Sequence, residues 1–282
     1  MRVEYYDRDD IKSTTKSNNT PVTEADTKTE TFLREGFLRL FPSAAFIGEE
    51  TEGESGDWRA LPILHREDGL FVPDCERQVI VMDPLDGTIN FKMGKASRKP
   101  FAIMVALFEK GKTQAVWIYY PLIREFLFAT KDVATCRIRI SENGSFGEPE
   151  KIFLQEQSDK LALQFSIVGL HTDHDRHMAK ARDIFHEALP FFGALEEVFC
   201  VAESLYDLLV VGRVGAWSVP NYSTPWDIWT TGFLLERAGG VMVTADGKNY
   251  KSCDATGHVA ARTPELAMKV CSALSESGFV SA

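Results

Sequence analysis

No apolar run in the chain approaches the length that spans a membrane, and the N-terminus is charged and polar, without the apolar stretch of a signal peptide. A cytoplasmic protein is the expectation. The cysteines, Cys75, Cys136, Cys200, Cys253 and Cys271, are odd in number, scattered and nowhere spaced as CxxC, so a reducing compartment fits best. Positive charge is scarce: 31 Lys and Arg stand against 41 Asp and Glu, for a formal net charge of -10. That balance excludes a general nucleic-acid binder, which would carry a basic stripe. It also sets a condition on any phosphate-ester ligand, because positive charge must then be gathered locally, and a bound metal ion is the simplest way to do so. Zinc-type ligation is not supported, since His171, His174 and His177 match no closed tetrahedral set and read as loop and helix-start residues.

Core-forming residues are present in ordinary measure. With 282 residues, 44% hydrophobic and 26% charged, the chain can bury a large interior as one domain or two intimate halves. The expected division leaves an N-terminal half, 1–147, with an antiparallel sheet and the main acidic motifs, and a C-terminal half, 148–282, with a smaller α/β layer. Residues 1–19 are polar and patternless, so order is expected to begin at Thr20. Ala25, Phe32, Leu33 and Leu40 then recur at helical spacing, with Pro42 beyond the end. Asp26 follows Thr23 by three residues, as in a capping box. Phe46-Ile47 reads as a short strand running into Gly48-Glu49-Glu50, and 51–76 as a loop bordering a site, with a short element at Leu61–Leu64. Phe101–Leu107, Gln114–Tyr120 and Glu125–Thr130 alternate with turn signals as an antiparallel meander, with a further strand at Cys136–Ile140. The second half gives strands at Leu161–Gly169, Val214–Val219 and Val241–Val243. Its helices fall at 176–189, 203–211, after Trp226 and from Thr263.

The stretch Val79–Phe91, VIVMDPLDGTINF, concentrates the chemistry. Val79–Met82 is an apolar, β-branched run typical of a buried strand, and Pro84 and Asp86-Gly87 predict that the chain leaves the sheet at Asp83. Asp83 and Asp86 then share a strand exit, where their repulsion calls for a cation or a proton. Mg²⁺ suits such a site, since it takes oxygen ligands and few carboxylates, and the Leu85 carbonyl offers another oxygen. Thr88 adds a hydroxyl, and the N–H groups from Gly87 onward face a phosphate if a helix starts there. Taken alone, such a turn is as readily a solvated loop as a metal site. Downstream, Lys92, Lys95, Arg98 and Lys99 crowd a short loop, read as solvated or, alternatively, as recruiting a substrate with more than one phosphate. Asp227, at a helix start, reads by itself as an ordinary helix-terminus aspartate.

Together these motifs resemble the inositol monophosphatase family. VTEAD at Val22–Asp26, GEE at Gly48–Glu50, DPLDGTINF at Asp83–Phe91 and WD at Trp226-Asp227 fall in the family's order, and the similarity spans about Thr20 to Thr263. The resemblance implies an α/β fold of the α+β kind, a layered αβαβα sandwich, commonly a homodimer. It implies that Glu49, Asp83, Asp86 and Asp227, with the Leu85 carbonyl, hold two or three Mg²⁺ ions. Asp26 and Thr88 match a pair that orients or deprotonates the attacking water beside Glu49, and Gly87 and Thr88 would offer backbone donors to the phosphate. The substrate would be a small phosphorylated metabolite, either a monophosphate or a bisphosphate (a sugar bisphosphate or a 3′-phosphonucleotide). The alternative outside that class is a catalytically silent relative that binds a phosphate ligand.

The chain departs from the family in three places. The helix that precedes VTEAD in the family is missing or much shortened, which bears on the dimer contacts. Cys200-Val201-Ala202-Glu203 stands where many members carry a GSAA-like segment. VPNYSTP, Val219–Pro225, has no glutamate where inositol-specific members place one for sugar hydroxyls.

Overall fold

The computed structural model describes residues 11–15, 21–50, 64–67, 70–73, 76–94, 99–154, 161–165, 183, 194–198, 200–219, 224–248, 250 and 257–276. The histidine cluster, Lys95 and Arg98 of the basic loop, Cys75 and Cys253, and nearly all of the helix expected at 176–189 lie outside these residues.

A hairpin of β1 (Ser13–Thr15) and β2 (Pro21–Thr23) leads into helix α1 (Glu24–Leu40). Ordered structure therefore starts before Thr20, and Ile11 already packs against Ala25, Leu85, Phe91 and Phe101. The first strands had no periodicity to reveal them, because their register is set by pairing rather than by a buried face. β3 (Ala45–Gly48) lies parallel to β6 (Gln78–Asp86), and between them in sequence β4 (Leu64–Glu67) and β5 (Leu70–Pro73) form a separate hairpin. The short helix α2 (Thr88–Lys92) follows directly. The expected meander is present as β7 (Ala102–Glu109), β8 (Lys112–Tyr120) and β9 (Glu125–Thr130), extended by β10 (Cys136–Arg139) and β11 (Glu150–Lys151). These strands make a seven-stranded sheet in the order β11-β10-β9-β8-β7-β6-β3.

Later segments build a second sheet. β12 (Ala162–Phe165), β13 (Ala194–Glu197), β14 (Val214–Val219), β15 (Val241–Thr244) and β16 (His258–Ala261) associate in the order β13-β12-β14-β16-β15. Helix α3 (Val201–Tyr206) runs into a π-helical turn, Asp207–Val211, and α4 (Pro225–Arg237) and α5 (Pro264–Glu276) complete the described elements.

The layers follow from which face each strand residue takes. Along β6 the side chains alternate: Ile80 and Met82 pack with Leu33 and Phe37 of α1, whereas Val79 and Val81 face the interior that holds Trp226, Trp229 and Leu234 of α4. Phe108 and Trp229 meet there with ring centroids 5.0 Å apart. On the far side, Val259 and Ala261 of the second sheet bury against Ala267, Val270 and Leu274 of α5. The order is helix, sheet, helix, sheet, helix, an α+β layered fold.

β6 does not end at Asp83 but continues to Asp86, which pairs with Ala102 after a register shift. Pro84 falls inside that irregularity, where its missing N–H breaks no regular ladder bond, so the bulge absorbs the turn signals.

Candidate active site

Three aspartates converge at the end of β6. Asp83, Asp86 and Asp227 each offer an oxygen within 4.8 Å of the others, although Asp227 comes from the opposite half of the chain. The bulge turns both β6 carboxylates toward one place. The capped start of α4 brings the third: the Thr224 hydroxyl donates to Asp227 Oδ2 at 2.7 Å while accepting from the Asp227 N–H at 3.4 Å.

Burial and mutual repulsion raise the proton affinity of all three. Asp83 is pushed well above the usual carboxylate range, first by burial and then by the charges of Glu49, Asp86 and Asp227. Asp227 is raised by burial and by Asp86. Asp86 is held to about 6, because burial is opposed by hydrogen bonds from the start of α3. The Ala202 N–H donates to its Oδ2 at 2.7 Å, the Val201 N–H to Oδ1 at 3.3 Å and the Cys200 thiol to Oδ2 at 3.2 Å. The segment that departs from the GSAA-like pattern is thus the one that clamps Asp86.

Glu49 is not within that 4.8 Å group, but its charge acts on Asp26, Asp83, Asp86 and Asp227. Its backbone N–H continues the β3 to β6 pairing by donating to the Met82 carbonyl at 3.2 Å. Glu30, buried on α1, accepts from the Glu50 N–H at 2.9 Å, and a Cβ on Gly48 would sit 2.5 Å from its carboxylate. Only glycine admits that carboxylate beside the chain carrying Glu49.

Asp26 serves two partners at once. Its Oδ2 closes the α1 capping box with Thr23, and its Oδ1 accepts from the Thr88 hydroxyl at 3.0 Å. The helix-cap reading of Asp26 therefore holds, alongside a link to the DPLDGT turn. Thr88 Oγ also lies 3.1 Å from the Leu85 carbonyl oxygen, placing that oxygen at the same corner. Gly87 adopts φ 88°, and α2 begins at Thr88.

Sequence reasoning missed Thr224 and Glu30, and the role of Cys200, Val201 and Ala202 as donors to Asp86. Two left signals: Thr224 precedes Asp227 by three residues, a capping pattern, and Glu30 follows Asp26 by four on one helix face. The Cys200–Ala202 segment stood out only as a departure from the GSAA-like pattern, and its clamp on Asp86 was not legible, because two of the three donors are backbone N–H groups.

An all-oxygen set of mutually repelling carboxylates, Asp83 and Asp86 buried and Asp227 half-buried, fits a hard divalent cation better than a soft one. The Inositol monophosphatase family model matches residues 1–278. Inositol monophosphatase 1 of Solanum lycopersicum is 26% identical over 265 residues, covering 92% of this chain and 84% of that protein. A fructose-1,6-bisphosphatase/inositol-1-monophosphatase of Thermotoga maritima is 24% identical over 231 residues, covering 80% and 72%. The solved structure of an IMPase/NADP phosphatase complexed with Mg²⁺ and phosphate superposes with a TM-score of 0.66 at 17% identity, over 94% of this chain and 87% of that one, a likeness of fold. The chain belongs to the inositol monophosphatase family, and hydrolysis of phosphate monoesters is its chemistry.

Proposed function

We propose that the chain hydrolyses a small phosphorylated metabolite in a Mg²⁺-dependent reaction with water as the nucleophile. The observation that carries this reading is the convergence of Asp83, Asp86 and Asp227 oxygens within 4.8 Å. Glu49 and the Leu85 carbonyl complete the ligand set for two or three ions. Bound there, Mg²⁺ supplies positive charge to the phosphate, acidifies a water and stabilises the departing alkoxide. The name of the structural relative crystallised with Mg²⁺ and phosphate supports that choice of ion.

The chain's own groups do the rest. Asp26, whose proton affinity is raised by burial, holds the Thr88 hydroxyl in a fixed direction, and the pair aligns a water and accepts its proton. Glu49 flanks that water. The Gly87 and Thr88 N–H groups, at the start of α2, are the donors for phosphate oxygens. No covalent nucleophile is required.

A bisphosphate substrate is the second reading. Lys99 lies near enough to act on the charge of Glu203, in the first turn of the helix that clamps Asp86, so one cation of the basic loop stands beside the site. The bisphosphatase named among the relatives is consistent with it.

A phosphate-release screen over sugar, inositol and nucleotide mono- and bisphosphates, with and without Mg²⁺, tests both readings. Asp83→Asn is expected to abolish turnover while leaving the circular dichroism spectrum unchanged, and full activity of that variant at ordinary Mg²⁺ would refute the ligand assignment. Ligand-induced stabilisation without phosphate release from any compound would point to a silent binding protein.

A further inference from the structure

Tyr120, the last residue of β8, is buried, and its hydroxyl donates to the Ala202 carbonyl oxygen at 2.9 Å, across 82 residues of sequence. Ala202 is the residue whose N–H gives Asp86 the shortest of its three bonds, 2.7 Å to Oδ2. One residue of α3 is therefore held from both sides, by Asp86 at its N–H and by Tyr120 at its C=O. Four residues on, at the far end of the helix, Tyr206 packs its ring against that of Tyr120 with centroids 4.9 Å apart. Ala202 and Tyr206 share a helix face, so Tyr120 meets that face at both ends. The Tyr206 hydroxyl in turn donates to Glu125 Oε2 at 2.6 Å, and Glu125, buried at the start of β9, accepts from Arg139 Nε at 3.2 Å. β8 is separated from β6 by β7 alone, and continuous pairing makes the three strands one rigid frame. Tyr120 and Asp86 are thus two anchors on one sheet. α3, only six residues long, cannot hold its own place by helix cooperativity and hangs between them.

We propose that Tyr120 is a positioning residue of the metal corner: acting through Ala202, it fixes the start of α3 at the place from which that helix restrains the Asp86 carboxylate. The inference rests on the reading of Asp86 as a Mg²⁺ ligand. Burial first, and then the neighbouring Cys200 and Asp86, hold the Tyr120 phenol well above its ordinary range, so the group stays a proton donor. A side chain that only filled space there would not need its oxygen. Removing that oxygen leaves the buried Ala202 carbonyl short of a partner and lets the start of α3 settle where its N–H groups reach Asp86 less well. The loss falls on metal affinity, because Tyr120 acts on the orientation of a ligand and not on the substrate.

Tyr120→Phe removes the oxygen and keeps the ring. Isothermal titration calorimetry of the full chain with Mg²⁺ alone should show a Kd raised about 5- to 10-fold over wild type. Phosphate release should need correspondingly more Mg²⁺, with the KM for substrate at saturating Mg²⁺ unchanged. Tyr206→Phe is the comparison, since it deletes a phenol bond of the same helix without touching Ala202. It should lower the thermal midpoint by a similar amount and bind Mg²⁺ as tightly as wild type. A Tyr120→Phe chain that melts lower yet keeps wild-type Mg²⁺ affinity overturns the inference and leaves the ligand assignment standing. Equal loss of affinity in Tyr206→Phe also overturns it, because the effect would then be a general loosening of α3. A wild-type chain that takes up no Mg²⁺ overturns the inference together with the assignment on which it rests.

Discussion

Asp86 shows how much of the site is settled by single contacts. Its carboxylate receives donors from Cys200, Val201 and Ala202, 114 to 116 residues away, and these bonds keep its pKa near 6 despite full burial. Gly87, the next residue, has no room for a side chain: a Cβ would lie 3.1 Å from Cys200 Cβ and 3.3 Å from the Pro100 carbonyl oxygen, at φ 88°. Gly87→Ala therefore combines the ~1 kcal/mol or more that a left-handed backbone costs a non-glycine residue with displacement of the α3 start. The expected result is a thermal midpoint lower by a few degrees and a Mg²⁺ half-saturation concentration for phosphate release raised at least ~10-fold, equivalent to ~1.4 kcal/mol of lost ligand positioning. Unchanged Mg²⁺ dependence would show that Gly87 matters to the fold alone.

Elements carry the side chains to their places. The Thr224 cap both starts α4 and fixes Asp227, so its loss has two separable consequences. Thr224→Ala should cost ~1 kcal/mol of stability, as for other N-cap threonines, and lower the apparent affinity for Mg²⁺ several-fold; differential scanning calorimetry reads the first and a metal titration of activity the second. Thr224→Ser should restore both. The long elements were legible from local signals: apolar residues keep a period in α1, the β7 to β9 meander and α4, β14 is a short, largely apolar run, and α5 opens on the start signal Thr263-Pro264-Glu265. β16, with its short HVAA sequence, and the β1–β2 hairpin were not, because what defines them is a partner strand. The extension of β6 through Pro84 was hidden for the same reason: pairing with β7 outweighed the local turn chemistry.

For the whole molecule, the clustered acids predict how stability responds to pH and metal. Asp86 moves from an ordinary 3.8 to about 6, and Asp26, Asp83 and Asp227 also shift upward. A carboxyl that binds its proton more tightly when folded contributes stability that is full below its unfolded pKa and is lost as pH rises through the folded one. The metal-free protein should therefore lose stability between about pH 4 and pH 6, by a midpoint shift of several degrees. Saturating Mg²⁺ at pH 7 should restore it, because the cation replaces the protons. Thermal melts across pH, with and without Mg²⁺, check this, and a metal-free midpoint that rises from pH 4 to pH 6 would contradict it. The sequence by itself determined the order of motifs, the periodic helices and strands, and the acidic residue types, since each depends on neighbours a few positions away. Only the tertiary structure decided that Asp83, Asp86 and Asp227 share one corner and that backbone N–H groups of α3 restrain Asp86. Those depend on long-range packing, in which the burial of apolar layers brings together groups that nothing in their local sequence connects.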